Sequence, residues 1–229
     1  YGPPLKKGSA KLSNCFTFRN ICKMKKITHL IFDFGAVIIN IDYLATISAF
    51  EDLGVENANE LYSKEIQNKL FEDLETGKVE KSYFISQIQK QTKDCADLSI
   101  IKAWNKMLGN IPQNRINLLM ELSRKYKLIL LSNTNKIHID EIIKSMGKRK
   151  WHEFYNLFEK IYLSHEIGMR KPNHDIFLKV LSDNNINGDN VLFIDDSPQH
   201  IKAAKELKIN CYHLRDNEDI VNLFPDIIQ

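Results

Sequence analysis

The stretch Leu30-Ile31-Phe32-Asp33-Phe34-Gly35-Ala36-Val37-Ile38 constrains this chain more than any other. Three bulky apolar residues run straight into a carboxylate, and a glycine follows two positions later. An unbroken apolar run beginning near Ile27 reads as a strand buried on both faces, as in a parallel sheet. A buried strand that ends in aspartate delivers a charge to the carboxyl edge of the sheet, where open α/β folds bind ligands. Most strand-terminal aspartates merely cap a turn or a helix, so the weight of the reading falls on what lies downstream.

Downstream the chain divides into two patterns. From about residue 43 to 110 the periodicity is helical: Ile66, Leu70 and Leu74 with Gly77 after them, then Phe84, Ile85 and Ile88, then Ile100, Trp104, Met107 and Leu108 ended by Gly109. No strand pattern interrupts this stretch, which is far longer than one crossover needs. It reads as an inserted helical subdomain over residues 41–111, placed to cover a ligand edge as a lid. The same stripes also fit core helices of a single layer; position favours the lid.

From Pro112 strands and helices alternate. Leu128–Ser132, Lys160–Ser164, Val191–Asp196 and a short Asn210–His213 read as strands. Helices are expected around residues 113–126, 137–146 and 198–207. Another follows Pro172, a residue suited to a first helical position. This alternation predicts an α/β fold with a doubly wound parallel sheet, its core formed by residues 24–40 and 112–229.

Composition narrows the function classes. The 229 residues are 43% hydrophobic and 27% charged, ordinary for a globular protein. No apolar run approaches the length of a membrane span. The formal charge of +3 gives no reason to expect a nucleic-acid footprint, and five basic residues, Lys6, Lys7, Lys11, Arg19 and Lys23, sit in an acid-free segment 1–23. The rest of the chain is mildly acidic. Because Met24 directly precedes the first strand, residues 1–23 are expected to be a leader or added segment outside the fold, with an organellar transit segment as the rival. Cys15, Cys22, Cys95 and Cys211 fall in no metal-binding spacing, which fits a reducing, cytoplasmic setting.

Four features fall at successive strand ends: Asp33, Ser132-Asn133-Thr134-Asn135, Lys171 and Asp195-Asp196. In a doubly wound fold these ends converge. At 4 Å and an effective dielectric near 20, each pair of like charges among three carboxylates costs about 4 kcal/mol. A divalent cation removes that cost, and hard oxygen ligands select Mg²⁺. The hydroxyl and amides at Ser132-Asn133, with the cationic Lys171, supply donors for phosphoryl oxygens. An aspartate beside such a cradle is placed to act as a nucleophile in phosphoryl transfer.

These residues resemble the haloacid dehalogenase (HAD) superfamily of aspartate-nucleophile phosphatases over nearly all of residues 26–229. Leu30–Val37, Leu131-Ser132-Asn133, Gly168-Met169-Arg170-Lys171-Pro172 and Phe193-Ile194-Asp195-Asp196-Ser197 resemble its four motifs. The strings Leu131–Asn135 and Ile161–Pro172 resemble the branch that contains bacterial α-D-glucose-1-phosphate phosphatases, which carries a small helical cap. The resemblance implies a Rossmann-like core, Asp33 as the nucleophile that becomes a phospho-aspartate, and Ser132 and the Asn133 backbone as holders of the phosphoryl oxygens. It implies Lys171 as the neutralising cation, and Mg²⁺ held by Asp33, the Gly35 carbonyl and Asp196, with Asp195 supporting the metal's water shell.

Two positions depart from the family's pattern. Gly35 stands where most of its phosphatases carry a second aspartate as general acid and base, a group that typically contributes about 10²–10⁴-fold. The sugar-phosphatase branch can itself carry glycine there, and a good leaving group such as an anomeric hydroxyl needs less protonation. His200 stands where many relatives carry another carboxylate, and is expected to face outward. The leading expectation is a Mg²⁺-dependent phosphatase of a small phosphorylated metabolite, with no nucleic-acid or membrane partner. A metal-free dehalogenase, a catalytically weak binding or regulatory module, and a sugar phosphotransferase are the alternatives.

Overall fold

The computed structural model describes residues 27–61, 69–92 and 95–225. The expected leader 1–23, with Cys15 and Cys22, and Ile66 of the first helical stripe lie outside the described residues. Five parallel strands form one sheet: β1 (His29–Phe32), β2 (Lys127–Ser132), β3 (Lys160–Leu163), β4 (Val191–Asp195) and β5 (Asn210–His213). Their spatial order is β3-β2-β1-β4-β5, so β1 lies at the centre. Its four residues are all buried.

The period-2 alternation of the strands explains that burial. Leu30, Phe32, Leu128, Leu130, Leu192 and Ile194 point to one face, where they pack with Leu118, Leu119, Leu122, Ile142 and Phe154. Ile31, Ile129, Leu131 and Phe193 point to the other face, against Ile176, Phe177, Val180, Ile201 and Ala204. Apolar runs on parallel strands are thus consumed by helices on both sides.

Between β1 and β2 the chain forms α1 (Tyr43–Asp52), α2 (Ala58–Leu61), α3 (Lys69–Glu75), α4 (Lys81–Gln89), α5 (Asp97–Trp104) and a 3₁₀ turn, Asn105–Met107, before returning through α6 (Gln113–Ser123). The first five helices carry an apolar core of their own, centred on Trp104, whose ring lies 5.0 Å from Phe71, 5.6 Å from Phe84 and 6.2 Å from Phe50. Buried aromatics dominate such a core because each removes a large apolar area from water.

The chain enters and leaves this insert side by side. The amide of Gly109 donates to the Asn40 carbonyl at 2.8 Å, that of Asn40 to the Asn110 carbonyl at 3.0 Å, and that of Asp42 to the Met107 carbonyl at 2.9 Å. A Cβ on Gly109 would lie 2.9 Å from Asn40 atoms, so glycine is what lets the two crossings touch.

After β2 follow α7 (Lys136–Met146) and α8 (Lys148–Tyr155); after β3, α9 (Ser164–Ile167) and α10 (His174–Asp183); after β4, α11 (Pro198–Glu206); and after β5, α12 (Ile220–Leu223). Pro172 does not occupy the first helical position expected of it. Asn173 caps α10 and His174 opens it, because residues 170–173 close a turn in which the Asn173 amide donates to the Arg170 carbonyl at 3.1 Å. Among the described residues no helix is long and apolar enough to cross a membrane.

Candidate active site

The carboxyl ends of β1, β2 and β4 lie beside one another because the three strands are adjacent in the sheet. Asp33 follows β1, and its amide donates to the Ile194 carbonyl of β4 at 2.9 Å, which carries the ladder one residue past the strand. Asp195 closes β4, and Asp196 follows it. One carboxylate oxygen from each of Asp33, Asp195 and Asp196 lies within 4.8 Å of the others, and all three side chains are buried.

Lys171 is the cation that holds this cluster. Its Nζ donates to Asp33 Oδ1 at 2.8 Å, Asp195 Oδ2 at 2.7 Å and the Leu131 carbonyl at 2.9 Å, and the residue is 0% exposed. Three acceptors for three N–H bonds satisfy the ammonium completely. Its position is set by Asn133, whose amide side chain grips the lysine backbone from both sides. Oδ1 accepts from the Lys171 amide at 2.9 Å and Nδ2 donates to the Lys171 carbonyl at 2.8 Å. The loop after β2 thereby carries the loop after β3, and Ser164 adds a second tie through reciprocal bonds to the Thr134 amide and carbonyl, both at 2.9 Å.

Burial and charge divide the two central aspartates. Burial, with the Asp195 and Asp196 charges adding to it, raises the Asp33 pKa against the pull of Lys171. Burial also opposes ionisation of Asp195, but Lys171 and then His200 overcome it and hold that carboxyl well below the usual carboxylate range. The same two aspartates overcome the burial of Lys171 and raise its pKa.

The expectation for His200 is corrected. It faces inward: Nδ1 lies 3.0 Å from both oxygens of Asp195. It stands on the first turn of α11 and is drawn in because both Asp195 oxygens need donors; the Ser197 amide supplies another at 2.7 Å. Burial outweighs the carboxylate and lowers the His200 pKa.

A cavity of about 250 Å³ opens above Asp33, Gly35, Asn133, Lys171 and Asp196 on the sheet side. Asp195 and Ser132 lie behind its wall; Ser132 is 2% exposed, and its hydroxyl reaches the Asn133 carbonyl at 3.4 Å. The Gly35 carbonyl accepts from the Val37 amide at 2.7 Å. The insert supplies the opposite wall through Tyr43, Glu72 and Glu75, with Arg170 between. Arg170 reaches Glu72 at 3.3 Å and Glu75 at 3.1 Å. Burial, then the charges of Asp196, Asp33, Glu75 and Asp195, push the Tyr43 phenol up, so it remains a neutral donor.

Sequence reasoning missed this opposite wall. Glu72 and Glu75 stand three apart beside the Phe71 and Leu74 stripe, a spacing that gives a helix an acidic edge. That edge alone says nothing of what it faces. Arg170 was visible beside Lys171 in its motif, without a partner to give it a role.

The donor set suits a hard divalent cation: three carboxylate oxygens crowd together, and no thiol joins them among the described residues. The haloacid dehalogenase-like hydrolase family matches residues 30–213 of the chain. A D-ribitol-5-phosphate phosphatase of Bacteroides thetaiotaomicron is 27% identical over 198 residues, covering 84% of this chain and 94% of its own. The crystal structure of a HAD family enzyme of the same organism, in complex with magnesium and inorganic phosphate, superposes with a TM-score of 0.78 at 36% identity, covering 86% of this chain and 99% of that one. A predicted HAD-like hydrolase of Porphyromonas gingivalis has a TM-score of 0.77 at 27% identity, covering 89% and 98% of the two chains.

Proposed function

The chain belongs to the haloacid dehalogenase-like hydrolases, and from that premise we propose that it is a Mg²⁺-dependent phosphomonoesterase of a small phosphorylated metabolite, working through a phospho-aspartate on Asp33. The observation that carries the reading is the ammonium of Lys171 bonded at once to Asp33 and Asp195, inside a cluster of three buried carboxylates. Three carboxylates against one lysine leave negative charge that a divalent cation would balance, which favours a metal-dependent phosphatase over a metal-free dehalogenase. The D-ribitol-5-phosphate phosphatase relative supports a phosphoryl substrate, and the magnesium and phosphate in the related crystal structure support the cofactor.

Asp33, Asp196 and the Gly35 carbonyl would hold the metal, which would supply positive charge to neutralise the phosphoryl oxygens. The protein's own groups do the rest. A carboxylate oxygen of Asp33 attacks phosphorus, and the bond to the leaving oxygen breaks with its electron pair. With Gly35 offering no acid, the leaving oxygen takes its proton from a water molecule as it departs. Lys171 steadies the negative charge that Asp33 shares with the transferring group, and Asp195, pinned by His200 and the Ser197 amide, holds Lys171 in place. The Asn133 amide bears on the phosphoryl oxygens, joined by the Ser132 hydroxyl once it turns from the Asn133 carbonyl towards the cavity, while the Asn133 side chain keeps the Lys171 loop closed on them. Water then attacks phosphorus, the bond to Asp33 breaks, and inorganic phosphate leaves. The insert over residues 41–111 acts as the cap that excludes bulk water. The free thiols Cys95 and Cys211 support a cytoplasmic setting.

The test is hydrolysis of an aryl phosphate with Mg²⁺ and with chelator, beside Asp33→Asn. Mg²⁺-dependent turnover that falls by roughly 10⁴–10⁶ in the variant is expected for loss of a nucleophile. Equal turnover by the folded variant sinks the reading.

A further inference from the structure

We propose that Glu72 and Glu75 on α3, held by Arg170, are the specificity-determining residues of this site, and that they select a neutral polyhydroxylated leaving group over one bearing a second acid. The proposal rests on the phosphomonoesterase reading only for which end of the substrate faces the sheet.

The cavity has two chemically distinct halves. The sheet half holds Lys171 and the oxygen cluster suited to a divalent cation, and so takes the phosphoryl end. The insert half holds two glutamates against one arginine, and the other lysine or arginine that lines the cavity, Lys171, is committed to Asp33 and Asp195. Glu75 is buried, its side chain 5% exposed, so water screens its charge little. A carboxylate or second phosphate on the leaving group would be pressed against it, and juxtaposed like charges are how sites reject wrong partners.

Hydroxyl groups meet the opposite reception. Each is a donor that a glutamate oxygen accepts and an acceptor that a guanidinium or the Tyr43 phenol can serve. Arg170 is bonded to both glutamates and lies one residue from Lys171, so the groups that read the leaving group are tied to the loop that holds the nucleophile's cation. Size points the same way. About 250 Å³ lies at the small end of ligand pockets, roughly 300–1,000 Å³ for drug-sized ligands, which suits a short open-chain or single-ring polyol.

The decisive comparison is calorimetric binding to the Mg²⁺-loaded full chain carrying Asp33→Asn, which preserves the ester. The probes are D-ribitol 5-phosphate and 5-phospho-D-ribonate, which differ only in a terminal hydroxymethyl against a carboxylate. The polyol ester is expected to bind at least about tenfold tighter, equivalent to about 1.4 kcal/mol. Glu75→Gln should narrow that ratio, and so should Glu72→Gln, a substitution at a half-exposed position that the fold tolerates. A loss of packing weakens both ligands alike, whereas loss of the charge moves their ratio. Equal affinity for the two esters, no binding of either, or a ratio unchanged in both glutamine variants overturns the proposal. The aryl phosphate assay reports separately on the phosphatase reading, since it carries no hydroxyls to be read.

Discussion

Lys171 has no water to fall back on: it is fully buried, with every N–H committed to Asp33, Asp195 or the Leu131 carbonyl. Breaking a buried ion pair by removing one partner typically costs about 3–5 kcal/mol, because the abandoned charge stays buried. Lys171→Met should therefore lower stability by about that amount in urea unfolding and abolish phosphatase turnover together. Stability unchanged in the variant would show that the carboxylates rearrange or take up a proton at little cost. Gly35 makes a contrasting case. A Cβ placed there meets only the Ile41 side chain, at 3.5 Å, so the fold accepts a larger residue. Gly35→Asp is expected to fold at a cost of roughly 1–3 kcal/mol, because it adds a carboxylate beside three others. It should also add a proton donor worth up to about 10²-fold on poor leaving groups. The check is the dependence of rate on leaving-group pKa, which should become shallower in the variant; equal slopes count against the reading of Gly35 as a missing acid.

Elements meet at His138, on the first turn of α7. Its ring stacks on Trp104 of the insert at 4.5 Å, and its Nδ1 lies 2.7 Å from Asn105 Oδ1. Burial lowers its pKa from 6.5 to about 3. The folded protein thus refuses a proton that the unfolded chain accepts, so the unfolded state binds more protons between those two values and stability rises with pH across that window. The contribution is complete above pH 6.5 and is lost progressively as pH falls towards 3. At pH 5 the loss is about 2 kcal/mol. The change in stability between pH 7 and pH 5, read by chemical denaturation, should be smaller by about that amount in His138→Gln, which keeps an amide donor for Asn105, than in wild type. A second junction is Gly77, at φ 65°, where a Cβ would fall 2.3 Å from the His165 carbonyl oxygen. Only glycine lets the turn after α3 rest on α9, and that contact places Glu72 and Glu75 opposite Lys171.

For the whole molecule, the active site is an electrostatic strain that folding accepts. Three carboxylates lie within 4.8 Å of one another and two of them share one lysine, so a ligand with two positive charges should stabilise the native state over the unfolded chain. Saturating Mg²⁺ is expected to raise the melting temperature, by the equivalent of about 2.7 kcal/mol at one hundred times its Kd. Chelator should reverse the gain, and Asp196→Asn should remove most of it. A melting temperature indifferent to Mg²⁺ would mean that the cluster is balanced by the protein alone.

The sequence by itself determined the architecture of the core and the identity of the chemical groups at its edge. Unbroken apolar runs such as Leu30–Phe32 and Val191–Ile194 have no solvent face, and only a parallel sheet covered on both sides buries them. In such a sheet the residues that end neighbouring strands must converge, so Asp33, Asn133, Asp195 and Asp196 were legible as a group without coordinates. Lys171 was legible from its place after the third strand and from its motif. Tertiary structure alone decided what those residues touch. That the Asn133 side chain grips the Lys171 backbone, that His200 turns inward to Asp195, and that Glu72, Glu75 and Arg170 face the nucleophile across a cavity are contacts between residues 5 to about 140 positions apart. Periodicity and motif spacing report which face of an element a residue occupies. Which other element comes to meet that face is set by the packing of the whole chain, and that is where specificity is built.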